Sequence, residues 1–216
     1  TQKHMKLKVC GNILPEQVRA YDDLGVDMAG FNFYPSSPRY MRQKISPEKM
    51  KQLKGKFARV GIFVNARYDE LVRTVEEYRL DMVQLSGDET PEYCSKIADF
   101  ISVIKVFRIA GKEHLDPLTI PYKNVCDFFM FDTAGTGYGS TGKKFNWKLL
   151  EKSPPLKPYI LSGGIEPSDV EKLRNLKAGP GGTKLFAVDV NSKFELSAGV
   201  KDIGKLSQFI EELNKE

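Results

Sequence analysis

The sequence predicts an α/β fold in which eight parallel strands alternate with helices and close into a single (β/α)8 TIM barrel. Short apolar segments begin about every 20 to 30 residues, which is the length of one strand-plus-helix unit. The intervening segments are amphipathic, and several open with proline, which suits a first helical turn because that turn leaves its amides unpaired. A chain of 216 residues, 41% of them hydrophobic, is long enough for one well-buried core and short for two. We therefore expect one domain over residues 5–216.

Each predicted strand is a short apolar run rich in β-branched and aromatic side chains. The eight strands span residues 6–10, 28–33, 59–64, 82–85, 101–106, 128–132, 159–162 and 185–190. Helices are expected to begin at Pro15, Pro47, Pro91 and Pro167, with Ser46 and Thr90 as N-caps, and to span residues 68–78, 147–152 and 203–214. The pattern is weakest between residues 108 and 124, where Pro117 and Pro121 leave at most a fragment of a fifth helix.

The charge balance indicates the partners that this chain favours. Lys and Arg number 33 against 28 Asp and Glu, a net charge of +5, and the basic residues are scattered among acidic ones. This predicts a soluble chain with a mild preference for anionic ligands. The sequence contains neither a basic run nor a zinc-finger spacing, the features that would indicate nucleic-acid binding. Charged residues interrupt each apolar run before it reaches the ~18 residues of a membrane span. We expect a monomer without a nucleic-acid or membrane partner.

The cysteines indicate a reducing compartment. Cys10, Cys94 and Cys126 are an odd number without a close pair, which suits free thiols and a cytoplasmic location. Residues 1–4 are polar and precede Met5, without resembling a signal peptide. We expect them to be an extraneous remnant outside the fold.

Cys10 ends the first predicted strand, at the mouth where the active site of such a barrel lies. Because side chains alternate along a strand, Lys8 and Cys10 point into the barrel while Leu7 and Val9 face the helices. A lone cysteine is more often a packed, inert core residue. Polar residues at the same end of the other strands would favour an active-site role for Cys10 over a packed core position.

Carboxylates are predicted at that same mouth. Asp132 ends the sixth strand facing inward. On the eighth strand Asp189 faces inward, and Phe186, Val188 and Val190 are expected to face the helices. On the fourth strand the inward residues are Gln84 and Ser86. Asp132 alone would fit a turn or a helix cap equally well. Its convergence with Cys10 favours a pair of acid–base groups.

The last two strands carry the features of an anion site. Ser162-Gly163-Gly164 ends strand seven with little side-chain obstruction, and Asn191-Ser192 follows strand eight. Loops at these two positions commonly present backbone amides to a phosphate. A further anion contact is Arg39, on the long loop after strand two, since a guanidinium can clamp a carboxylate with two hydrogen bonds.

The glycine-rich segment 133–144 offers a competing interpretation. Gly137, Gly139 and Gly142 satisfy G-x-G-x-x-G, and the P-loop pattern fails only at its last position, Lys144. A dinucleotide site would need an acidic residue about 20 positions later at the end of the next strand, where this chain has Ser162-Gly163-Gly164. The segment is better explained as a lid over the barrel mouth.

With these residues assembled, the chain resembles the phosphoribosylanthranilate isomerase family, barrel enzymes of tryptophan biosynthesis. The likeness runs from residue 8 to residue 202. It rests on Lys8-Val9-Cys10-Gly11, Gly30-Phe31, Ser37-Pro38-Arg39, Val60-Gly61-Ile62-Phe63-Val64-Asn65, Val83-Gln84-Leu85, Phe131-Asp132-Thr133, Gly142-Lys143, Phe145-Asn146-Trp147, Leu161-Ser162-Gly163-Gly164, Asp189-Val190-Asn191-Ser192 and Gly199-Val200-Lys201-Asp202.

The resemblance implies an Amadori rearrangement of a phosphorylated aminoaldose to an aminoketose, without a metal or an organic cofactor. It implies Asp132 as the general acid, Cys10 as the general base and Arg39 as the anthranilate contact. Gly163, Gly164, Asn191 and Ser192 would bind the phosphate, and Asp189 would accept a hydrogen bond from a substrate hydroxyl. On physical grounds Lys8, two residues before Cys10 on the same face, would favour its thiolate.

Two departures from the family pattern leave alternatives open. The family usually has histidine at the position of Ser86, which His114 cannot be assumed to replace, and Gly-Gly at Gly139-Ser140. One alternative is a barrel isomerase that acts on the histidine-pathway phosphoribosyl substrate, although that class commonly uses two aspartates. The other is a non-catalytic phosphate-binding barrel.

Overall fold

The computed structural model describes residues 5–111, 114–135 and 143–215, in which eight parallel strands close a barrel in sequence order. The strands are β1 (Lys6–Val9), β2 (Met28–Asn32), β3 (Ala58–Phe63), β4 (Met82–Leu85), β5 (Ser102–Ile109), β6 (Phe128–Thr133), β7 (Tyr159–Leu161) and β8 (Leu185–Val190). The barrel closes where β1 pairs with β8, with Lys8 opposite Asp189. The predicted (β/α)8 barrel is confirmed. The expected remnant at residues 1–4 and most of the predicted lid, residues 136–142, lie outside the described residues.

The helices pack around the strands. They are α1 (Pro15–Val18), α2 (Tyr21–Leu24), α3 (Pro47–Gln52), α4 (Tyr68–Tyr78), α5 (Pro91–Ala98), α6 (Leu115–Thr119), α7 (Lys148–Lys152), α8 (Val170–Ala178) and α9 (Ile203–Asn214). Both predicted N-caps are confirmed, because the Ser46 and Thr90 hydroxyls accept first-turn amides at 3.3 and 3.2 Å. Pro167 opens a 3-10 turn that continues into α8. Among the described residues, no helix is long and apolar enough to cross a membrane.

The fifth helix is degenerate, as predicted. α6 spans five residues and gives way to a 3-10 turn at Ile120–Tyr122. Pro121 lacks the amide that would continue the α-helical pattern, so the helix ends before it. The strand before it, β5, extends three residues beyond the predicted end, because Phe107 and Ile109 still pack under the helices.

Two apolar layers reflect the alternation of side chains along the strands. Leu7, Val9, Phe129 and Phe131 belong to the large core between strands and helices, while Met28, Val60, Ile104, Met130 and Ile160 fill the barrel itself. The alternation predicted for β1 and β6 is thus confirmed. Val106 and Met130 of this inner cluster reach the cavity at the carboxyl ends of the strands.

The predicted direction of Phe186 is wrong. The pairing of β7 with β8 shifts register there, so that Tyr159 pairs with Leu185 and Ile160 with Ala187. The skipped Phe186 packs against the inner cluster and lies 4.6 Å, centroid to centroid, from the ring of Phe128. Such a bulge restores the alternation further along the strand, which leaves Asp189 facing the mouth as predicted.

Candidate active site

A cavity of about 260 Å³ opens at the carboxyl ends of the strands. The predicted site residues that line it are Cys10, Arg39, Asp132, Gly163, Gly164, Asp189, Asn191 and Ser192. Lys8 does not line it and lies fully buried below Cys10. Within the described part of the chain, no group of three or more histidine, cysteine or carboxylate side chains is placed to hold a metal ion. An anionic ligand in this cavity would contact polar side chains and the backbone of the loops.

Cys10 follows β1 directly, and its amide donates to the Val190 carbonyl at 3.0 Å, which fixes it against β8. Burial raises the pKa of the Cys10 thiol, and Lys8 opposes that effect. The expected influence of Lys8 has the right direction, but burial outweighs it. The thiol is therefore mostly protonated at neutral pH in the free protein. Space beside it is tight, since a Cβ on Gly30 would lie 3.1 Å from Sγ.

Lys8 forms a buried ion pair under the thiol. Its Nζ donates to Asp189 Oδ1 at 2.6 Å, and Ser162 Oγ donates to the other carboxylate oxygen at 3.0 Å. Burial alone would lower the pKa of Lys8, but Asp189 beside it raises the pKa on balance, so the ammonium keeps its proton. The pair gives the floor of the site a fixed arrangement of charges.

Asp132 lies across the mouth on β6, partly exposed in the cavity. Burial is the main effect that raises its pKa, to about 6, while the Thr133 amide, which donates to Oδ1 at 2.7 Å, opposes it. A carboxyl group with such a pKa keeps its proton in about one molecule in ten at pH 7. Asp132 is thus suited to give up a proton near neutral pH.

The two glycines after β7 line the cavity with backbone that carries no side chain. Gly163 and Gly164 have φ values of +96° and +65°, a region that favours glycine. A Cβ on Gly163 would lie 2.3 Å from Thr133 Oγ1, which accepts the Phe145 amide at 3.0 Å. After the neighbouring strand β8, Asn191 precedes a 3-10 turn at Ser192–Phe194.

Replacing Gly163 with alanine is expected to destabilise the fold by about 1–3 kcal/mol, through the positive φ and the clash with Thr133, and to raise KM for a phosphorylated substrate. Urea unfolding and steady-state kinetics measure both effects. Gly204→Ala is the matched control, since its Cβ would lie 3.6 Å from Asp202 Oδ1, an ordinary contact. Equal behaviour of the two variants would contradict the prediction.

Several polar residues at or near the cavity are not among the predicted site residues, and three of them are charged groups in ion pairs. Glu195 and Lys201 come from a two-stranded hairpin after β8, β9 (Glu195–Ser197) and β10 (Val200–Lys201), and Glu195 accepts from both Arg39 and Lys201. Arg108 lines the cavity near the end of β5 and pairs with Asp88 at 2.9 Å. Strand alternation from Ile104 would have placed Arg108 inward had β5 been predicted at its full length. The hairpin has no comparable strand pattern, although Lys201 lies in Gly199-Val200-Lys201-Asp202, one of the segments that carry the resemblance.

Comparison with known proteins agrees with the resemblance. The family model of N-(5'phosphoribosyl)anthranilate (PRA) isomerase matches residues 7–212. A curated relative of that name from Phocaeicola vulgatus is 38% identical over 98% of this chain and 99% of its own length. The chain belongs to the N-(5'-phosphoribosyl)anthranilate isomerase family.

Solved structures of the family share the fold of this chain over nearly its whole length. The Thermotoga maritima phosphoribosyl anthranilate isomerase matches with a TM-score of 0.82 and 31% identity, covering 97% of this chain and 98% of that one. A phosphoribosyl anthranilate isomerase in complex with reduced 1-(o-carboxyphenylamino)-1-deoxyribulose 5-phosphate matches with a TM-score of 0.77 and 29% identity, over 97% and 98% of the two chains.

Ser86 stands at the position where the family resemblance leads us to expect histidine. It lines the cavity, and its hydroxyl accepts from the Gln84 amide at 3.1 Å. His114 directly precedes α6 and is absent from the described lining of the cavity. The Ser86 side chain at the cavity is therefore a hydroxyl that accepts from Gln84.

The thiol of Cys10 is expected to react slowly with iodoacetamide at pH 7.5, and its rate is expected to rise with pH to a midpoint above its ordinary pKa of 9.0. Deprotonation makes the nucleophile, so the reactive fraction grows as pH rises through the pKa. Cys10→Ala corrects for Cys94 and Cys126, where burial raises the pKa to about 11 and about 12. A midpoint below the ordinary value of 9.0 would show that Lys8 outweighs burial at Cys10.

Proposed function

We propose that this chain catalyses the Amadori rearrangement of N-(5-phosphoribosyl)anthranilate to 1-(2-carboxyphenylamino)-1-deoxyribulose 5-phosphate in tryptophan biosynthesis. Asp132 is the general acid and Cys10 the general base. The observation that carries the proposal is that these two side chains, from strands one and six, line one cavity and that the pKa of Asp132 is raised to about 6. Family membership supports the substrate, since the curated relatives bear its name.

The reaction needs a proton donor and a proton acceptor at different atoms. Asp132 donates its proton to the ribose ring oxygen. The C1′–O bond then breaks, the oxygen becomes a hydroxyl on C4′, and C1′ becomes part of a protonated imine whose nitrogen keeps its hydrogen. Cys10 as thiolate removes the proton from C2′, which gives an enolamine. The enolamine takes a proton at C1′ and loses the one on its C2′ hydroxyl, which yields the ketone.

The two pKa shifts mean that the reactive protonation state is a minor one in the free protein. Asp132 is mostly ionised at neutral pH and Cys10 mostly protonated, whereas the first proton transfers need the reverse. The Lys8 ammonium beneath Cys10 stabilises the thiolate form when it arises. Because the pKa of Asp132 is raised to about 6, a larger fraction of the molecules carries a protonated Asp132 carboxyl group at neutral pH.

The substrate's two anionic groups have separate places in the proposal. Backbone at Gly163 and Gly164, with Asn191 and Ser192 after the neighbouring strand β8, takes the phosphate. Arg39 takes the carboxylate of the aromatic ring. Asp189 is already bonded to Lys8 and Ser162, so its main contribution is to hold Lys8, and one of its remaining lone pairs would meet a substrate hydroxyl.

One assay tests the proposal. The fluorescence of N-(5-phosphoribosyl)anthranilate is expected to fall with time when purified protein is added, while the phosphoribosyl aminoimidazole substrate of histidine biosynthesis, followed in parallel, remains unchanged. Turnover of the second substrate alone would favour the histidine-pathway reaction. Binding of the first substrate without turnover would instead favour a non-catalytic phosphate-binding barrel.

A further inference from the structure

A continuous line of polar contacts runs along one side of the cavity, from Arg39 through Glu195 and Lys201 to Asn191. Arg39 Nε donates to the Glu195 oxygens at 2.9 and 3.1 Å, and Nη2 donates to Oε2 at 2.6 Å. Lys201 Nζ donates to Glu195 Oε1 at 2.6 Å and to Asn191 Oδ1 at 2.9 Å. The line joins the proposed carboxylate contact to the proposed phosphate loop.

These groups are fixed because they are buried. The side chains of Arg39 and Glu195 are 13% and 4% exposed, and that of Lys201 is fully buried. Screening by water and freedom of the side chains make an exposed ion pair weak, but both effects are small here. The stem of Arg39 also lies against Gly11, where a Cβ would come 2.4 Å from Arg39 Cδ. The guanidinium plane is therefore held from two sides.

The way Glu195 holds Arg39 leaves a defined set of donors for a ligand. A guanidinium has five N–H groups, one on Nε and two on each terminal nitrogen. Glu195 takes the edge formed by Nε and Nη2. A second carboxylate that binds in a fork can then use only the end formed by Nη1 and Nη2. Glu195 thereby fixes both the position and the approach of an incoming carboxylate.

We infer that Glu195 is the positioning residue that holds Arg39 for end-on binding of the substrate's aromatic carboxylate, and that it makes the site selective for substrates with that group. The inference rests on the proposed function. Glu195 acts through Arg39 and contacts no reacting atom. Its link through Lys201 to Asn191 sets the distance between the two anionic subsites.

The test compares Glu195→Gln with the unaltered protein on two substrates, N-(5-phosphoribosyl)anthranilate and N-(5-phosphoribosyl)aniline, which lacks the carboxylate. Glutamine keeps the shape but loses the charge and one acceptor. We expect KM for the anthranilate substrate to rise about tenfold with kcat changed less than threefold, and kcat/KM for the aniline substrate to stay within about twofold. An equal loss on both substrates, or no loss on either, would overturn the inference.

Glu89→Gln is the matched control. Glu89 forms an equally buried ion pair with Lys105 at 2.8 Å, away from Arg39. The Glu89→Gln variant is expected to be less stable than the unaltered protein, but the ratio of its kcat/KM values for the two substrates is expected to stay the same. If Glu195→Gln does not fold, as judged by circular dichroism, Glu195→Asp gives the same comparison, since it keeps the charge but shortens the reach.

A binding measurement separates this inference from the proposed function. Calorimetry with reduced 1-(o-carboxyphenylamino)-1-deoxyribulose 5-phosphate, and with its counterpart made from aniline, needs no turnover. The Kd of the carboxylated compound is expected to rise about tenfold in Glu195→Gln, and that of the other to stay the same. This result in a protein that turns over neither substrate would uphold the inference and reject the proposed reaction. Equal affinity of the unaltered protein for both compounds would overturn the inference.

Discussion

Replacing Asp132 with asparagine is expected to lower kcat/KM by about 10³-fold while it makes the folded protein more stable at pH 8. The loss follows because an amide cannot donate the proton that opens the sugar ring, and general acid catalysis contributes roughly 10²–10⁴-fold. The fold should survive, since asparagine keeps the oxygen that accepts the Thr133 amide. The fluorescence assay measures the first effect, and urea unfolding at several pH values measures the second.

The gain in stability follows from the raised pKa of Asp132. Its pKa is about 6 in the folded protein against an ordinary value of 3.8, so the folded state holds the proton more tightly. That contribution to stability is fully present below about pH 4 and is lost as pH rises through about 6. The amide of the Asp132→Asn variant does not ionise, so the variant's advantage is expected to grow to about 1–3 kcal/mol between about pH 4 and pH 8. An advantage that does not change with pH, or near-normal activity, would contradict this prediction.

Replacing Cys10 with alanine is expected to lower kcat by about 10³-fold or more, because the change removes the base proposed to take the proton from C2′. The structure should tolerate the change, since the site loses one small buried atom. Affinity for the reduced product analogue is expected to stay within about threefold, which separates loss of the base from loss of binding. Near-normal activity would remove Cys10 from the mechanism.

Cys94→Ala is the matched control for that variant. Cys94 is also a fully buried thiol, but it packs on α5 in the layer between helices and strands. Its replacement is expected to leave kcat and KM unchanged within about twofold and to cost a modest amount of stability. An equal loss of activity in both variants would point to packing as the cause.

The strand ends and helix starts were predictable because each depends on a few neighbouring residues. Proline and an N-cap hydroxyl mark α3 and α5 locally, and strand alternation placed Cys10 and Asp132 on the correct face. The direction of Phe186 depends instead on how β8 pairs with β7, which involves residues far away in sequence. Such a register shift leaves no local pattern.

The electrostatics of the site were less predictable than its composition. Spacing along β1 predicts Lys8 as a neighbour of Cys10. The extent of burial that raises the pKa of the thiol depends on groups such as Gly30, which comes from another strand. Glu195 was missed because its role needs a short hairpin to fold back onto Arg39, 156 residues earlier in the chain.

The pairing of β1 with β8 also sets when the site is completed during synthesis. Lys8 meets Asp189 across 181 residues of sequence, and at about 5–20 residues per second the ribosome needs about 10–40 s to make them. Until then the nascent sheet has two unpaired edges, and an open edge can pair with another chain. A chain that stops before residue 189 is therefore expected to associate with other chains and to lack the ion pair beneath the thiol.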